Sequence, residues 1–196
     1  AAWSVSRRQV LNGAGVLAAA AVLAACGSRQ PSDPGANGTG EVAAAPSADP
    51  SVTPAKLGNV TTGIDQVQAW QEEFYKDLHR HPDVWDEEAR TAAKVTTKLQ
   101  EVGADEIRQI GGGVVGIIRN GDGRRILFRA DMDALPVTEA TGLEYASTEP
   151  GKMHACGHDA HVASALGAAA LLAKNKSEWS GTYLALFQPG EETGKG

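Results

Sequence analysis

Within nine consecutive residues, Met153-His154-Ala155-Cys156-Gly157-His158-Asp159-Ala160-His161, the chain holds three His, one Cys and one Asp. A thiolate and an imidazole nitrogen are donors that a borderline-soft divalent ion accepts, so Cys156 and His158 suit Zn²⁺ or a similar metal. The segment falls at the predicted start of a helix, where the backbone N–H groups favour a thiolate and predict a depressed thiol pKa. Taken alone, the residue types leave three readings open: a metal site, a catalytic Cys-His nucleophile, or a structural cluster.

Two acidic pairs stand just past apolar, strand-like runs. Asp131 and Asp133 follow one run, Glu191 and Glu192 the other. In α/β sheets the ligand crevice lies outside the carboxyl ends of the strands, so these four carboxylates are expected to converge there. Carboxylates brought together away from water need a cation. For an arbitrary Glu-Glu pair a solvated loop would be the default; its place after a buried strand and opposite a Cys/His cluster argues otherwise.

The elements that must position these groups alternate between helix and strand. Ile64, Val67, Gln71, Phe74 and Leu78 recur at helical spacing and predict an amphipathic helix from Asp65 to His79, stopped by His81-Pro82. Asp86 is expected to cap a second helix, with Ala89, Ala92, Thr96, Leu99 and Val102 inward and Gly103 at its end. Gly113 to Arg119 and Arg124 to Arg129 flank Asn120-Gly121-Asp122-Gly123 and predict an antiparallel pair, with Ile126-Leu127-Phe128 buried on both faces. A third helix is expected from about Asp159 to Lys174, followed by a buried strand over Tyr183 to Phe187.

The chain has 196 residues, 18 Lys+Arg against 24 Asp+Glu, and two Cys. A net charge of −6 with no like-charge block argues against a nucleic-acid partner. Two thiols cannot make a disulfide scaffold, so the fold must rest on apolar burial. Ser6-Arg7-Arg8-Gln9-Val10-Leu11 and the Ala/Val/Leu stretch behind it resemble a twin-arginine export signal. Leu23-Ala24-Ala25-Cys26 resembles a lipobox, with Cys26 as the lipidation site. Residues 1–26 therefore read as a signal peptide, and residues 27–63, rich in Gly, Pro, Ala, Ser and Thr and without an aromatic, as a disordered tether. The expected location is the outer face of the cytoplasmic membrane, held by the lipid anchor alone.

Four blocks, Leu78-His79-Arg80-His81-Pro82, Phe128-Arg129-Ala130-Asp131-Met132-Asp133-Ala134-Leu135-Pro136, Met153 to His161, and Phe187-Gln188-Pro189-Gly190-Glu191-Glu192, together resemble the metal-dependent N-acyl-amino-acid amidohydrolases. This is the family of hippurate hydrolase and indoleacetyl-amino-acid hydrolase, in the zinc-peptidase clan with aminoacylase and carboxypeptidase relatives. The resemblance covers roughly residues 65–196. It implies an α/β fold, the first half of a three-layer α/β/α catalytic domain over residues 64–196, with the lid domain and C-terminal half absent. It implies Cys156, His158 and Glu192 as metal ligands and Glu191 as general base, activating a water and returning its proton to the departing amine. Asp131, standing where the wider clan has His, and Asp133 are placed behind the ligands, where a carboxylate accepting an imidazole N–H would fix the ring. His154, Asp159 and His161 match no ligand position, and His79 and His81 are read as shaping a helix end or the substrate cleft.

The same resemblance implies Zn or Mn as cofactor, up to two ions per complete site, a small N-acyl-amino acid as substrate, and a homo-oligomer for full-length members. Two further His of the family pattern are not in this chain, which reads as a truncated copy, weakly stable or aggregating if made alone. Two rival functions stand beside amidohydrolysis. One is a dipeptidase or carboxypeptidase of the same clan, the other a surface lipoprotein that binds metal or ligand without catalysis.

Overall fold

The protein is described here by a computed structural model that covers residues 59–196. The predicted signal peptide, the lipidation site at Cys26 and most of the predicted tether lie outside the described residues. Residues 59–63 form a turn in which the Thr62 N–H donates to the Asn59 carbonyl at 3.1 Å. Asn175 secures that turn by donating from Nδ2 to the Val60 and Thr62 carbonyls, each at 3.1 Å.

Helix α1 spans Ile64–Arg80 and buries Val67, Phe74 and Leu78, the stripe expected from the 3.6-residue period. Helix α2, Ala89–Glu101, buries Thr91, Val95 and Leu99. Its cap is not Asp86, whose φ of 70° puts it in a left-handed turn. Asp83 does that work: its Oδ2 accepts from the Thr91 N–H at 2.9 Å and from the Thr91 hydroxyl at 2.8 Å. The chain bends between Asp83 and the helix, so an acid further back in sequence lies over the free N–H groups.

Strand β1 (Glu106–Ile110), which the sequence did not announce, forms an antiparallel hairpin with β2 (Gly113–Asn120). The turn residues Gly111 and Gly112 have φ of 55° and 84°, the left-handed geometry that two-residue hairpins require. Strand β3 (Arg125–Asp131) does not pair with β2. The sheet order is β1-β2-β4-β3, and β4 (Gly181–Gln188) lies between them, antiparallel to β2 and parallel to β3. The Asn120–Gly123 turn reverses the chain, as its residues predict, yet neighbourhood is decided by burial at long range. The apolar run of β4 takes the position with a partner on both sides.

Helix α3 (His158–Lys174) makes the crossover between β3 and β4. All three helices pack on one sheet face, where Val114, Ile118, Ala130, Tyr183, Ala185 and Phe187 meet Leu78, Leu99, Val162 and Leu166 in one core. Burying each Leu, Val or Phe of this kind contributes roughly 1.5–3 kcal/mol. Gly116 is required by that packing, since a Cβ there would come within 2.5 Å of the Leu99 side chain. The described residues thus supply a sheet and one helical layer.

Ile126, Leu127 and Phe128 are 62%, 55% and 42% exposed, not buried on both faces. Strand β3 is the last of the sheet, and the core begins only at Ala130. An apolar strand edge is therefore open among the described residues.

Candidate metal centre

Strands β3 and β4 run parallel with Asp131 opposite Gln188, so both end at the same rim of the sheet. The Met132 N–H continues the pairing by donating to the Gln188 carbonyl at 2.9 Å. Beyond β3 the chain forms a two-way pair in which Leu135 and Met153 exchange N–H···O bonds at 3.0 Å, which returns the Met153–His158 segment to the rim. Beyond β4, Gly190 turns with φ 64° into the short 3₁₀ segment Glu191–Thr193. Sequence-distant residues thereby meet at the carboxyl ends of two parallel strands.

His158 is buried at the N-terminus of α3. Its Nδ1 lies 2.8 Å from the main-chain carbonyl of Asp133, so Nδ1 carries the proton and Nε2 presents a lone pair. That lone pair faces Asp131 Oδ2 and Glu191 Oε2, each at 3.7 Å, and Glu192 Oε1 at 3.8 Å. At such separations none is a hydrogen bond, and acceptors facing an acceptor repel. Glu192 Oε1 and Asp133 Oδ1 are moreover buried without a hydrogen-bond partner. A ring lone pair set against carboxylate oxygens is complementary to a cation, and the residues present fit a divalent metal.

Two groups of three bring one ligand atom each to within 4.8 Å of one another: His158, Glu191 and Glu192, and Asp131, His158 and His161. Cys156 belongs to neither; its thiol is exposed, and Glu192 is the neighbour that acts on it most strongly. The thiol pKa is not depressed. The Glu192 carboxylate beside it, then burial, then the charges of Glu191 and Asp133 push it up to about 11. Near-neighbour carboxylates outweigh the diffuse field of a helix terminus when no cation offsets them.

Asp133 lies behind the His158 ring, with its Oδ1 3.3 Å from Nδ1. Its carbonyl holds His158, while its carboxylate Oδ2 accepts from the Glu192 N–H at 2.9 Å. Asp131 lies beside the ligands and forms an ion pair with Arg129 at 2.6 Å. His161 stacks on His158 with centroids 5.6 Å apart and has Nδ1 3.7 Å from Asp131 Oδ2. His154 is buried with both ring nitrogens unpartnered, and burial pulls its pKa down to about 4. His79 is buried against Asp159, whereas His81 lies near the surface, its Nδ1 3.1 Å from the Thr148 hydroxyl.

Three acids that support the site were not picked out from the sequence. Glu88 Oε1 accepts from the Gly190 N–H at 2.9 Å and anchors the turn that precedes Glu191; burial raises its pKa. Glu139 meets His79, and Asp83 caps α2 while its carbonyl accepts from the Ala134 N–H at 2.8 Å. Each looks in sequence like an ordinary surface or helix-terminus acid. No local signal distinguishes them.

Residues 127–196 match the family described as Peptidase family M20/M25/M40. The chain is 41% identical over 128 residues to IAA-amino acid hydrolase ILR1-like 5 of Arabidopsis thaliana, covering 65% of this chain and 29% of that protein. It is 42% identical over 134 residues to thermostable carboxypeptidase 1 of Saccharolobus solfataricus, covering 67% and 34%. With N-acetylcysteine deacetylase of Bacillus subtilis it shares 43% over 124 residues, covering 62% and 33%. Among solved structures, a dinuclear metal-binding peptidase of the M20 family from Bacillus subtilis matches with a TM-score of 0.62 and 40% identity, covering 65% of this chain and 37% of that one. The chain thus spans about a third of the length of the curated relatives it matches. Residues 127–196 thus match the model of peptidase family M20/M25/M40, and the described fold is similar to part of that solved M20 structure.

Proposed function

We propose that the protein is a metal-dependent amidohydrolase that splits N-acyl-amino acids into a carboxylic acid and an amino acid. The observation that carries this reading is the lone pair of His158 Nε2, aimed at three carboxylates. Cys156, His158 and Glu192 would hold the cation. A bound zinc or manganese ion supplies Lewis acidity toward a carbonyl and acidity toward water.

The protein's own groups do the rest. The Glu191 side chain is 39% exposed, so it is reachable from solvent while its Oε2 stays 3.7 Å from His158 Nε2. It takes a proton from the attacking water as the new C–O bond forms, then delivers that proton to the amine nitrogen as the C–N bond breaks. Asp133 holds both His158 and the Glu192 backbone in register for this exchange. Asp131 and His161, which share His158 with the first group, are the donors on this chain for a second ion.

The hydrolase and the deacetylase named above support acyl-amino-acid substrates. The carboxypeptidase, at similar identity, supports a second reading in which the scissile amide belongs to a peptide. Zinc titration of the 196-residue chain by calorimetry tests the metal. A panel of N-acetyl-, N-benzoyl- and indoleacetyl-amino acids set against dipeptides, compared by kcat/KM, tests the substrate: preference for dipeptides overturns the first reading in favour of the second. We further propose, from the twin-arginine and lipobox resemblances alone, that the protein is exported and anchored through Cys26.

A further inference from the structure

His79 sits at the end of α1, with its side chain 7% exposed, and both ring nitrogens face a carboxylate. Nδ1 lies 2.6 Å from Asp159 Oδ2 and Nε2 lies 3.3 Å from Glu139 Oε1. These acids are themselves sealed from water, at 1% and 3% exposure. The rings of Tyr75 and Tyr145 wall the imidazole at centroid distances of 5.8 and 5.4 Å. The proposed proton transfers make no use of this group.

The two acids belong to different segments. Asp159 follows His158 directly in the first turn of α3. Glu139 lies in the loop between β3 and α3, where its carboxylate also accepts from the Ser147 N–H at 2.6 Å and from the Thr141 hydroxyl. Burial pushes the Glu139 pKa up, but these N–H and O–H donors and His79 outweigh it and hold the carboxyl below its ordinary range. His79 therefore ties the end of α1 to the loop and to the helix turn that bears His158. Without the ring, Asp159 Oδ2 and Glu139 Oε1 would lose the donor that both share and face each other as buried like charges. The simplest relief is to move the first turn of α3 toward water, and His158 moves with it.

We infer that His79 is a positioning residue for the cation site: clamped between Glu139 and Asp159, it fixes the first turn of α3 and so the aim of His158 Nε2. This rests on the metal-binding reading above. The test is titration of the metal-free 196-residue chain with Co²⁺, followed by its d–d absorption and its thiolate charge-transfer band. Wild type is expected to saturate. His79→Gln, which offers donors from only one atom, is expected to bind Co²⁺ at least about tenfold more weakly, with an altered d–d spectrum at saturation, the scale of loss for groups that orient ligands. A role limited to fold stability would lower the thermal midpoint yet leave affinity and spectrum of the folded protein unchanged, and that result overturns the inference. If His79→Gln does not fold, Glu139→Gln is read in its place: a smaller loss of affinity is expected, and wild-type affinity and spectrum overturn the inference. Absence of a saturable Co²⁺ signal in wild type overturns the metal reading and this inference with it, whereas a wild-type signal with unaltered variants overturns this inference alone.

Discussion

The main-chain carbonyl of Asp133 accepts the Nδ1 proton of His158 at 2.8 Å, with Oδ1 of the same residue 3.3 Å from that nitrogen, and together they decide which nitrogen of the ring is free for a metal. The carboxylate of the same Asp133 caps the Glu192 N–H at 2.9 Å. One residue past the end of β3 therefore positions a ligand on α3 and another beyond β4. The tautomer and the spacing of the candidate centre are both set at that point.

Asp133→Ala should consequently do more harm than its size suggests. It leaves the Glu192 N–H without its partner, at a stability loss of about 1–3 kcal/mol. It should also weaken zinc binding by roughly 10–100-fold, as loss of groups behind metal ligands does elsewhere. Urea unfolding and calorimetric zinc titration measure the two effects separately; a variant that loses neither would show that the turn holds without the carboxylate.

Cys156→Ser should weaken zinc binding in the folded protein, because a hydroxyl is a poor replacement for thiolate at a soft-leaning ion. The loss is expected to be at least about tenfold, the range seen when metal-site groups are disturbed. Elemental analysis after dialysis against a weak chelator checks it. Unchanged metal content would remove Cys156 from the ligand set.

Glu191→Gln should keep the metal and lose turnover. Proton transfer by a placed carboxylate is worth about 10²–10⁴-fold, so kcat on the best acyl-amino acid should drop by that factor with little change in metal content. A variant within a factor of about ten of wild type would fall below the range for a general base, and Glu191 would then be a ligand or a bystander.

Asp77 joins α1 to α2 by accepting from Arg90 Nη2 and from Lys94 Nζ, each at 2.8 Å. Burial raises its pKa, but the two cations outweigh that and hold the carboxyl below its ordinary value. The sign follows: a depressed folded-state pKa stabilises above the unfolded value, and the stabilisation is lost as pH falls through the folded one. Asp77→Asn should therefore reduce stability at pH 7 by about 0.2–1 kcal/mol, the range for partly exposed pairs. The gap between wild type and variant in urea midpoint should close as the pH is lowered into the acid range; a gap that persisted there would assign the effect to packing.

The open edge of β3 should govern solution behaviour. Leu127→Lys combined with Phe128→Lys should lower light scattering at a given concentration, because charge on an exposed strand edge opposes pairing with another chain. Thermal stability should change little, since neither side chain belongs to the core. Undiminished self-association would place the adhesive surface elsewhere.

The sequence by itself determined the elements whose signal is local. The apolar period of α1, the strand over Tyr183 to Phe187, and the Cys/His cluster opening α3 all stand where their residue types put them. It also supplied the donor types, because donor chemistry belongs to the side chain, but the folded chain decided which donors meet: Asp131 and His161 join a group of three and Cys156 does not. Tertiary structure alone decided the rest. Whether Asn120–Gly123 joins neighbouring strands depended on β4, some 60 residues later, taking the place between β2 and β3, and the exposure of Ile126–Phe128 followed from that order. The charge state of Cys156, the free nitrogen of His158, and the duties of Glu88 and Glu139 depend on groups far off in sequence. Electrostatic and hydrogen-bond energies act over a few ångströms of space, and only the folded chain says which residues those few ångströms contain.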